Sequence, residues 1–304
     1  MSAQTYRRTT VPVDGGDLTV GVWEPHGRVR GTVLLIHGVT SSHLAFTHVA
    51  RRLPGLRIIA PDLRGRGGSH GVRGDAGMTA HARDLEAVLD AFDAGAVPVV
   101  GHSMGAFVAV VLAHRAPARV SRLVLLDGGL PLEVPDGLSG EAAVDAILGP
   151  TAARLSMRFA GVDAYLDFWR GHPAFAKDWS RELEAYFAYD LVPGDGGLRP
   201  ATSYATTVDD TVDLTTGASL GSALAGLSVP TLLVTAPRGL LDQEPGLYED
   251  GRLAGLLAEL PPIDHVRVDG VNHYTLVMSP EGADAIAGYI ESSATEPAGE
   301  RSSA

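Results

Sequence analysis

Residues 101–105 read Gly-His-Ser-Met-Gly, and this G-x-S-x-G spacing could place a nucleophilic serine on a sharp turn between a strand and a helix. Such a turn strains the serine backbone toward positive φ and brings the strand and the helix very close together. Gly101 and Gly105 lack the Cβ atoms that would collide there. The apolar residues 96–100 predict a buried strand before the turn, and residues 107–113 predict a buried helix after it. The pattern therefore predicts serine chemistry.

The elements that must position this serine alternate between apolar, strand-like segments and segments with apolar residues at helical spacing. Continuously apolar segments are typical of central strands in a parallel sheet, whose two faces are covered by helices. The order of the segments therefore predicts a parallel sheet between two layers of helices. Besides the segments that flank the turn, we predict strands over residues 18–23, 32–36, 57–62, 123–127, 230–235 and 263–268, and helices over residues 79–92 and about 280–290.

A change of pattern divides the chain into regions. Between residues 128 and 227 the segments are helical and rich in aromatic residues, with Pro and Gly breaks and no clear core strand. We predict that residues 1–127 and 228–291 form the core and that residues 128–227 form a helical lid, or cap, inserted into it. Residues 292–304 are mostly small and polar, which predicts a disordered tail.

The composition limits the possible partners. A chain of 304 residues, 45% of them hydrophobic, can bury one large core, so we expect one catalytic domain. The net charge of −12 and the pI near 5.3 argue against nucleic acid or an anionic membrane as a partner, because both attract basic surfaces. The lack of cysteine excludes disulfides and thiolate metal sites. Because no apolar leader or membrane-spanning stretch is present, we expect a cytoplasmic protein.

Four motifs occur in an order that resembles a known family. His37 and Gly38 follow a predicted buried strand, and residues 62–69 have the form D-x-R-G-x-G-x-S. The serine turn comes next, and residues 270–273 carry a histidine after the last predicted strand. Together they resemble the α/β-hydrolase family over residues 15–290. The resemblance implies an α/β-hydrolase fold, with a mostly parallel central sheet flanked by helices and an inserted helical lid. We interpret the D-x-R-G-x-G-x-S segment as a structural turn.

The resemblance also implies how the serine is activated. A hydroxyl is a poor nucleophile until a base takes its proton, and the family places that base at the position of His273. Addition to a carbonyl needs donors for the developing oxyanion, and the resemblance assigns this role to the backbone N–H groups of Val39 and Met104. We interpret His37 and His102 as packing and hydrogen-bonding residues of their turns.

Two aspartates are candidates for the acid that orients the imidazole. Most of the family carries this acid after the strand that follows the lid, commonly as G-x-x-D, but here the Gly is absent and Asp242 arrives late. A variant arrangement, seen in some dehalogenases and in lactonases of the zearalenone type, carries the acid at the end of the preceding strand, where Asp127 stands. We favour Asp127, keep Asp242 as the alternative acid, and leave a smaller place for Asp264 or for no acid.

Aromatic residues of the predicted lid should make an apolar substrate pocket above Ser103, because a lid closes over the nucleophile. Many of these aromatics must instead form the core of the lid. Our candidates for the pocket are Trp169, Trp179 and Phe168 in the lid, and His43 near the oxyanion loop.

These observations predict a serine hydrolase that cleaves a carboxylic ester or lactone of a moderately hydrophobic small molecule through an acyl-enzyme on Ser103. No cofactor or metal is implied, and a homo-oligomer is possible. The same residues would also serve a thioesterase, an amidase, a C–C bond hydrolase or an acyltransferase. Some members of this fold are small-molecule receptors or cofactor-free oxygenases, so these alternatives stay open.

Overall fold

The computed structural model describes residues 4–133, 142, 144 and 150–295. Eight strands form one sheet in the order β1-β2-β4-β3-β5-β6-β9-β10, and a separate hairpin pairs β7 with β8. The β1-β2 and β2-β4 pairs are antiparallel, and the other pairs of the large sheet are parallel. The strands are β1 Gln4–Val13, β2 Gly16–Pro25, β3 Gly31–Ile36, β4 Leu56–Pro61, β5 Val97–His102, β6 Val120–Leu126, β7 Leu191–Gly194, β8 Gly197–Pro200, β9 Thr231–Thr235 and β10 Asp264–Arg267.

Helices cover both faces of the sheet, so its central strands are buried on both sides. The α-helices of the described residues are α1 Thr47–Arg52, α2 Met78–Ala91, α3 Met104–Arg115, α4 Pro150–Ala153, α5 Val162–Arg170, α6 Arg181–Tyr189, α7 Tyr204–Thr216, α8 Ala218–Ala225, α9 Asp250–Glu259, α10 Thr275–Met278 and α11 Pro280–Thr295. Short 3₁₀ helices lie at His43–Phe46, Gly67–Ser69, Pro117–Arg119, Arg154–Ser156 and Pro173–Phe175.

Two apolar cores hold this arrangement together. One core joins α2, α3 and α8 to one face of the sheet. The other joins α1, α10 and α11 to the opposite face and continues into the aromatic residues between β6 and β9. Burial of these continuous apolar surfaces is the main force that fixes the strand order. The architecture confirms the predicted α/β-hydrolase fold class.

The residues 150–225, which we call the inserted segment, lie between β6 and β9 in the chain. Helices and connecting loops make up this segment apart from the β7-β8 hairpin. The sequence prediction missed the hairpin, although Asp195-Gly196 is a typical hairpin turn. Residues 134–141, 143 and 145–149 of the predicted lid lie outside the described residues, so the lid boundaries stay a prediction.

Both ends of the chain differ from the sequence prediction. Strand β1 was not predicted, because most of its residues are exposed and show little apolar pattern. Helix α11 continues to Thr295, so the prediction of disorder was wrong for residues 292–295, where Ser292 and Ser293 hydrogen-bond back to helix carbonyls. Residues 296–304 lie outside the described residues. In the described part of the chain, no helix has the length and apolar character needed to cross a membrane.

Candidate active site

Ser103 lies on the turn between β5 and α3, at the carboxyl edge of the parallel sheet. Its φ of 55° and ψ of −125° are a strained conformation for a residue with a side chain. A Cβ on Gly101 would lie 2.3 Å from the carbonyl oxygen of Gly105, and a Cβ on Gly105 would lie 2.1 Å from that of Ile36. The N–H of Ser103 donates to the carbonyl of Leu126 at 2.9 Å. The two glycines therefore permit the crossing that exposes the serine.

Asp127 and His273 form a buried pair beside this turn. The Nδ1 of His273 lies 2.7 Å from Oδ2 of Asp127, and their side chains are 3% and 0% exposed. Asp127 directly follows β6 with a φ of 45°, and its other oxygen accepts from the N–H of Ala236 at 3.2 Å. The carboxylate accepts the Nδ1 proton, which leaves Nε2 as the atom able to take up a proton. The structure therefore brings Asp127, rather than the alternative acid, to the imidazole.

Asp242 lies elsewhere and has different partners. Its Oδ1 accepts from Nε of Arg238 at 2.6 Å and from Nδ2 of Asn272 at 3.1 Å, and its side chain is 23% exposed. Partial burial disfavours the carboxylate, but the hydrogen bonds from Asn272 and Arg238 outweigh it and lower the pKa of Asp242. Asp264 is exposed on the edge strand β10. Asp242 therefore supports the loop that carries the imidazole instead of contacting it.

The backbone around His273 is fixed by His102, in the hydrogen-bonding role expected from the sequence, and by Arg238 and Asn272, whose roles the sequence did not reveal. The N–H of His273 donates to the carbonyl of Arg238 at 2.9 Å, and its carbonyl lies 2.8 Å from Nε2 of His102. Oδ1 of Asn272 accepts the N–H groups of Tyr274 and Thr275, both at 3.0 Å. Asn272 thus fixes the backbone that leads from His273 into α10. An asparagine a few residues before a helix was the available signal for these bonds.

The predicted oxyanion loop passes directly over the serine. A Cβ on Gly38 would lie 3.1 Å from the Cβ of Ser103, a tight contact that glycine avoids. The buried His37 holds the loop, since its Nδ1 pairs with the carbonyl of Gly38 at 2.8 Å and its Nε2 accepts the N–H of Leu63 at 2.9 Å. Met104 begins α3, whose first N–H groups have no partners within the helix. The packing therefore brings the loop before Val39 against the N-terminus of α3.

A model of the alpha/beta hydrolase fold family matches residues 31–236, which is more than half of the chain. The chain belongs to the α/β-hydrolase fold family. A similar curated protein is the 2-(acetamidomethylene)succinate hydrolase of Mesorhizobium japonicum, 29% identical over 284 residues that cover 92% of this chain and 94% of that protein. The lipase LipV of Mycobacterium tuberculosis is 42% identical over 135 residues, covering 43% of this chain and 48% of the lipase. The match thus spans less than half of this lipase.

Solved structures agree with this assignment. A crystal structure of an E-2-(acetamidomethylene)succinate hydrolase has a TM-score of 0.76 and 26% identity, covering 94% of this chain and 100% of that one. A thioesterase domain from the curacin biosynthetic pathway has a TM-score of 0.74 and 21% identity, covering 94% of this chain and 99% of that one. At that identity the second likeness supports the fold alone.

Two pockets of this α/β-hydrolase-fold protein meet at Ser103 and His273, and both are also bordered by Val39 and Leu240. The first, which we call the aromatic pocket, is walled mainly by Trp169, Phe175, Tyr186, Phe187, Tyr274 and Met278. The second, which we call the aliphatic pocket, is walled mainly by Met104, Phe107, Leu132, Leu214 and Leu247, with Asp210 and Thr211. A bound molecule could therefore extend in two directions from the serine.

Of the four pocket residues predicted from the sequence, the described pocket walls include one. Trp169 lines the aromatic pocket, where it stacks on Phe187 with ring centroids 4.3 Å apart. Trp179 instead stacks behind Phe187 at 5.7 Å and donates its indole N–H to Glu184, and Phe168 packs edge-on against Trp169. These two residues belong to the packing of the inserted segment, so their prediction as pocket residues was wrong.

The prediction that His43 lines the pocket was also wrong. His43 is buried beneath β2, where its Nδ1 lies 2.7 Å from Oδ1 of Asp62 and its Nε2 lies 2.7 Å from the hydroxyl of Tyr6. Asp62 in turn accepts from the hydroxyl of Tyr189 on α6 at 2.6 Å. The first residue of the D-x-R-G-x-G-x-S turn therefore joins the N-terminal strands to the inserted segment, as a structural interpretation requires.

The other histidines near Ser103 are held neutral by burial. Desolvation lowers the pKa of His37 to about 4 and that of His102 to about 3, the latter with a contribution from the neighbouring His273. Both side chains therefore act as neutral hydrogen-bonding groups at physiological pH. Within the described residues, no group of three or more His, Asp or Glu side chains is arranged to hold a metal ion.

Proposed function

We propose that this protein is a serine hydrolase that cleaves a neutral carboxylic ester or lactone through an acyl-enzyme on Ser103. The observation that carries the proposal is the buried His273–Asp127 pair, 2.7 Å apart, next to a serine held at positive φ on a nucleophile turn. Both Ser103 and His273 border both pockets, so a substrate carbonyl in either pocket could reach the two groups together.

In the proposed reaction, Oγ of Ser103 attacks the carbonyl carbon while its proton passes to Nε2 of His273. The carboxylate of Asp127 stabilises the imidazolium, and the N–H groups of Val39 and Met104 receive the oxyanion. Collapse of the tetrahedral intermediate breaks the bond to the leaving oxygen, which takes the proton from His273. Water then repeats the sequence on the acyl-enzyme and releases the carboxylic acid.

The pocket walls favour an uncharged substrate. Among the described residues that line the two pockets there is no lysine or arginine, and the one carboxylate, Asp210, is already paired with Arg66 and His81. The relative from Mesorhizobium japonicum is named for a dicarboxylate, whose charges would need cationic partners in the pocket. We therefore propose an ester with an apolar acyl group and an apolar leaving group, and we propose that the inserted segment acts as the lid that selects them.

The test is a panel of p-nitrophenyl esters from acetate to laurate, followed by stopped-flow measurement of p-nitrophenol release. We expect turnover with a pre-steady-state burst close to one equivalent, because deacylation follows a faster acylation. Ser103→Ala should abolish the burst and lower kcat by about 10⁴-fold or more. Ser293→Ala, which changes a serine near the end of α11, is the matched control. Binding of esters without release of product would contradict the proposal and favour a receptor.

A further inference from the structure

Arg66 is a buried arginine in the turn over residues 62–69 that touches both predicted oxyanion-hole residues. Its side chain is 0% exposed. Its Nε donates to the carbonyl oxygen of Val39 at 2.8 Å, and its Nη2 lies 4.0 Å from Sδ of Met104. Its Nη1 donates to the carbonyl of Arg64 at 2.9 Å, which anchors the guanidinium to its own turn. One planar group thus contacts the carbonyl of Val39 and the side chain of Met104, the two residues whose N–H groups are the predicted oxyanion donors.

The charge of Arg66 is balanced by an aspartate of the inserted segment. Its Nη2 lies 2.5 Å from Oδ2 of Asp210, which is on α7 and is also 0% exposed. Oδ1 of Asp210 accepts from Nε2 of His81 at 2.9 Å and from the N–H of Gly77 at 2.6 Å. Burial opposes ionisation of this carboxyl, but the charge of Arg66 and the hydrogen bonds from His81 and Gly77 outweigh it and hold the pKa of Asp210 below the usual range. Asp210 also lines the aliphatic pocket, so the ion pair lies between pocket and oxyanion loop.

We propose that Arg66 is a positioning residue of the oxyanion hole and that its ion pair with Asp210 ties the hole to helix α7 of the inserted segment. The proposal rests on the proposed function, because it assigns the oxyanion to the N–H groups of Val39 and Met104. Anchoring the carbonyl of Val39 limits rotation of the residue whose N–H must point at the oxyanion. Errors of about 1 Å in such a group can cost about a hundredfold in rate.

The same turn provides a matched control in Arg64. This arginine is also buried and also paired with an aspartate, since Nε and Nη2 each lie 2.7 Å from an oxygen of Asp84. Its remaining hydrogen bonds go to the backbone carbonyls of Asp14, Arg73 and Asp75. None of these contacts reaches the oxyanion loop or the start of α3. Loss of Arg64 should therefore weaken the fold without moving the donors.

The experiment compares Arg66→Lys and Arg66→Gln with Arg64→Lys and Arg64→Gln. For each folded variant, kcat and KM are measured on a p-nitrophenyl ester that the wild type turns over. Inhibition by an alkyl trifluoromethyl ketone is measured as well, because its adduct with the serine places an oxyanion in the hole. The matching trifluoromethyl carbinol cannot form this adduct and reports ordinary pocket binding.

We expect the Arg66 variants to lose about 10- to 100-fold in kcat and in affinity for the ketone, since both depend on the oxyanion donors. Their KM and their affinity for the carbinol should stay within about threefold of wild type. Both Arg64 variants should keep all four quantities within about threefold, even where Tm falls as far as in the Arg66 variants.

Arg66 variants that lose Tm but keep kcat and ketone affinity would overturn the proposal and leave Arg66 a structural residue. If the Arg66 variants do not fold, Asp210→Asn keeps the guanidinium and removes its charge partner. The same selective loss of ketone affinity is then expected, and full retention would overturn the proposal. A wild type that neither turns over esters nor binds the ketone more tightly than the carbinol would refute the proposed function itself, which separates the two failures.

Discussion

The carboxyl edge of the parallel sheet, which carries Ser103, and the inserted segment, which supplies pocket walls beside it, are built from different interactions. At the edge, several buried polar side chains have defined hydrogen-bond partners, as in the pairs His273–Asp127 and His37 with the N–H of Leu63. The inserted segment meets the site mainly with stacked aromatic rings, such as Trp169 on Phe187. Directional bonds fix positions, whereas apolar contacts tolerate repacking.

This difference indicates that the two regions have different roles. Groups that must meet a reacting atom come from strand ends, where the sheet fixes the backbone. Groups that set the shape of the pocket come from the inserted segment, where one aromatic residue can replace another without moving the nucleophile. Changes at the sheet edge should therefore alter the rate of the chemical step, and changes among the aromatic rings of the inserted segment should alter the choice of substrate. Asp210 is the proposed exception, because it is paired with Arg66 at the oxyanion loop.

The largest effect is expected at the end of β6. Asp127→Asn should lower kcat by about 10²–10⁴-fold, because the amide supports neither the required tautomer of His273 nor the imidazolium. Asp242→Asn is the matched control and should stay within about tenfold of wild type, since Asp242 bonds to Arg238 and Asn272 instead of the imidazole. Steady-state kinetics on the preferred ester, with circular dichroism to verify folding, provides the comparison.

A large loss of kcat in Asp242→Asn with little loss in Asp127→Asn would assign the role of the acid to Asp242. That result would contradict the geometry at the end of β6. Comparable losses in both variants would mean that the support Asp242 gives the loop through Asn272 is as important as the carboxylate of Asp127. Either outcome would weaken the distinction between a sheet edge that performs chemistry and the loops that surround it.

The next effect concerns stability at the sheet edge. His37 and His102 have pKa values of about 4 and about 3 in the folded protein against 6.5 when unperturbed, because burial disfavours their charged forms. Between these values only the unfolded chain takes up the protons. The contribution of this burial to the free energy of unfolding should therefore be at its maximum above pH 7. It should decrease as the pH is lowered, by about 2 kcal/mol for each histidine at pH 5.

Urea unfolding at pH 7 and pH 5 measures this change. His102→Gln should remove about half of the decrease assigned to these two residues, whereas the exposed His26→Gln should follow the wild type. A stability that does not change between the two pH values would show that the edge accommodates charged histidines, contrary to the burial described above.

The smallest effect is expected in the inserted segment. Trp169→Phe should shift the preferred acyl chain length, changing the ratio of kcat/KM between long and short esters by about three- to tenfold, because it opens the aromatic pocket. Trp179→Phe, behind Phe187, should change this ratio by less than about twofold. Equal shifts in both variants, or none, would refute the assignment of Trp169 to the pocket wall.

The sheet edge could be predicted largely from the sequence, because its motifs have narrow steric causes. The glycines around Ser103 are required by a crossing that leaves 2.3 Å or less for a Cβ. The sequence favours Asp127 but keeps Asp242 as the alternative, because both follow strands that end at the same edge and spacing does not reveal which carboxylate faces the imidazole. Strand β1 was missed because its exposed residues carry little apolar periodicity.

The inserted segment was much harder to predict. Trp169 and Trp179 both lie in aromatic-rich segments, and local spacing does not show which ring faces the pocket and which lies behind Phe187. Arg66 resembled any arginine of a polar turn, since its partner Asp210 is far along the chain and is brought near by the packing of α7. Long-range contacts, which a single sequence does not report, decide these positions.

The most direct test of the central claim, that the His273–Asp127 pair activates Ser103, is the rate and site of labelling by a fluorophosphonate. Peptide mass spectrometry should find one equivalent on Ser103 in the wild type and in Asp242→Asn, formed at similar rates. In Asp127→Asn the rate of formation of the same adduct should be at least about a hundredfold lower. Labelling of an active enzyme at another residue, or an unchanged rate in Asp127→Asn, would contradict the account.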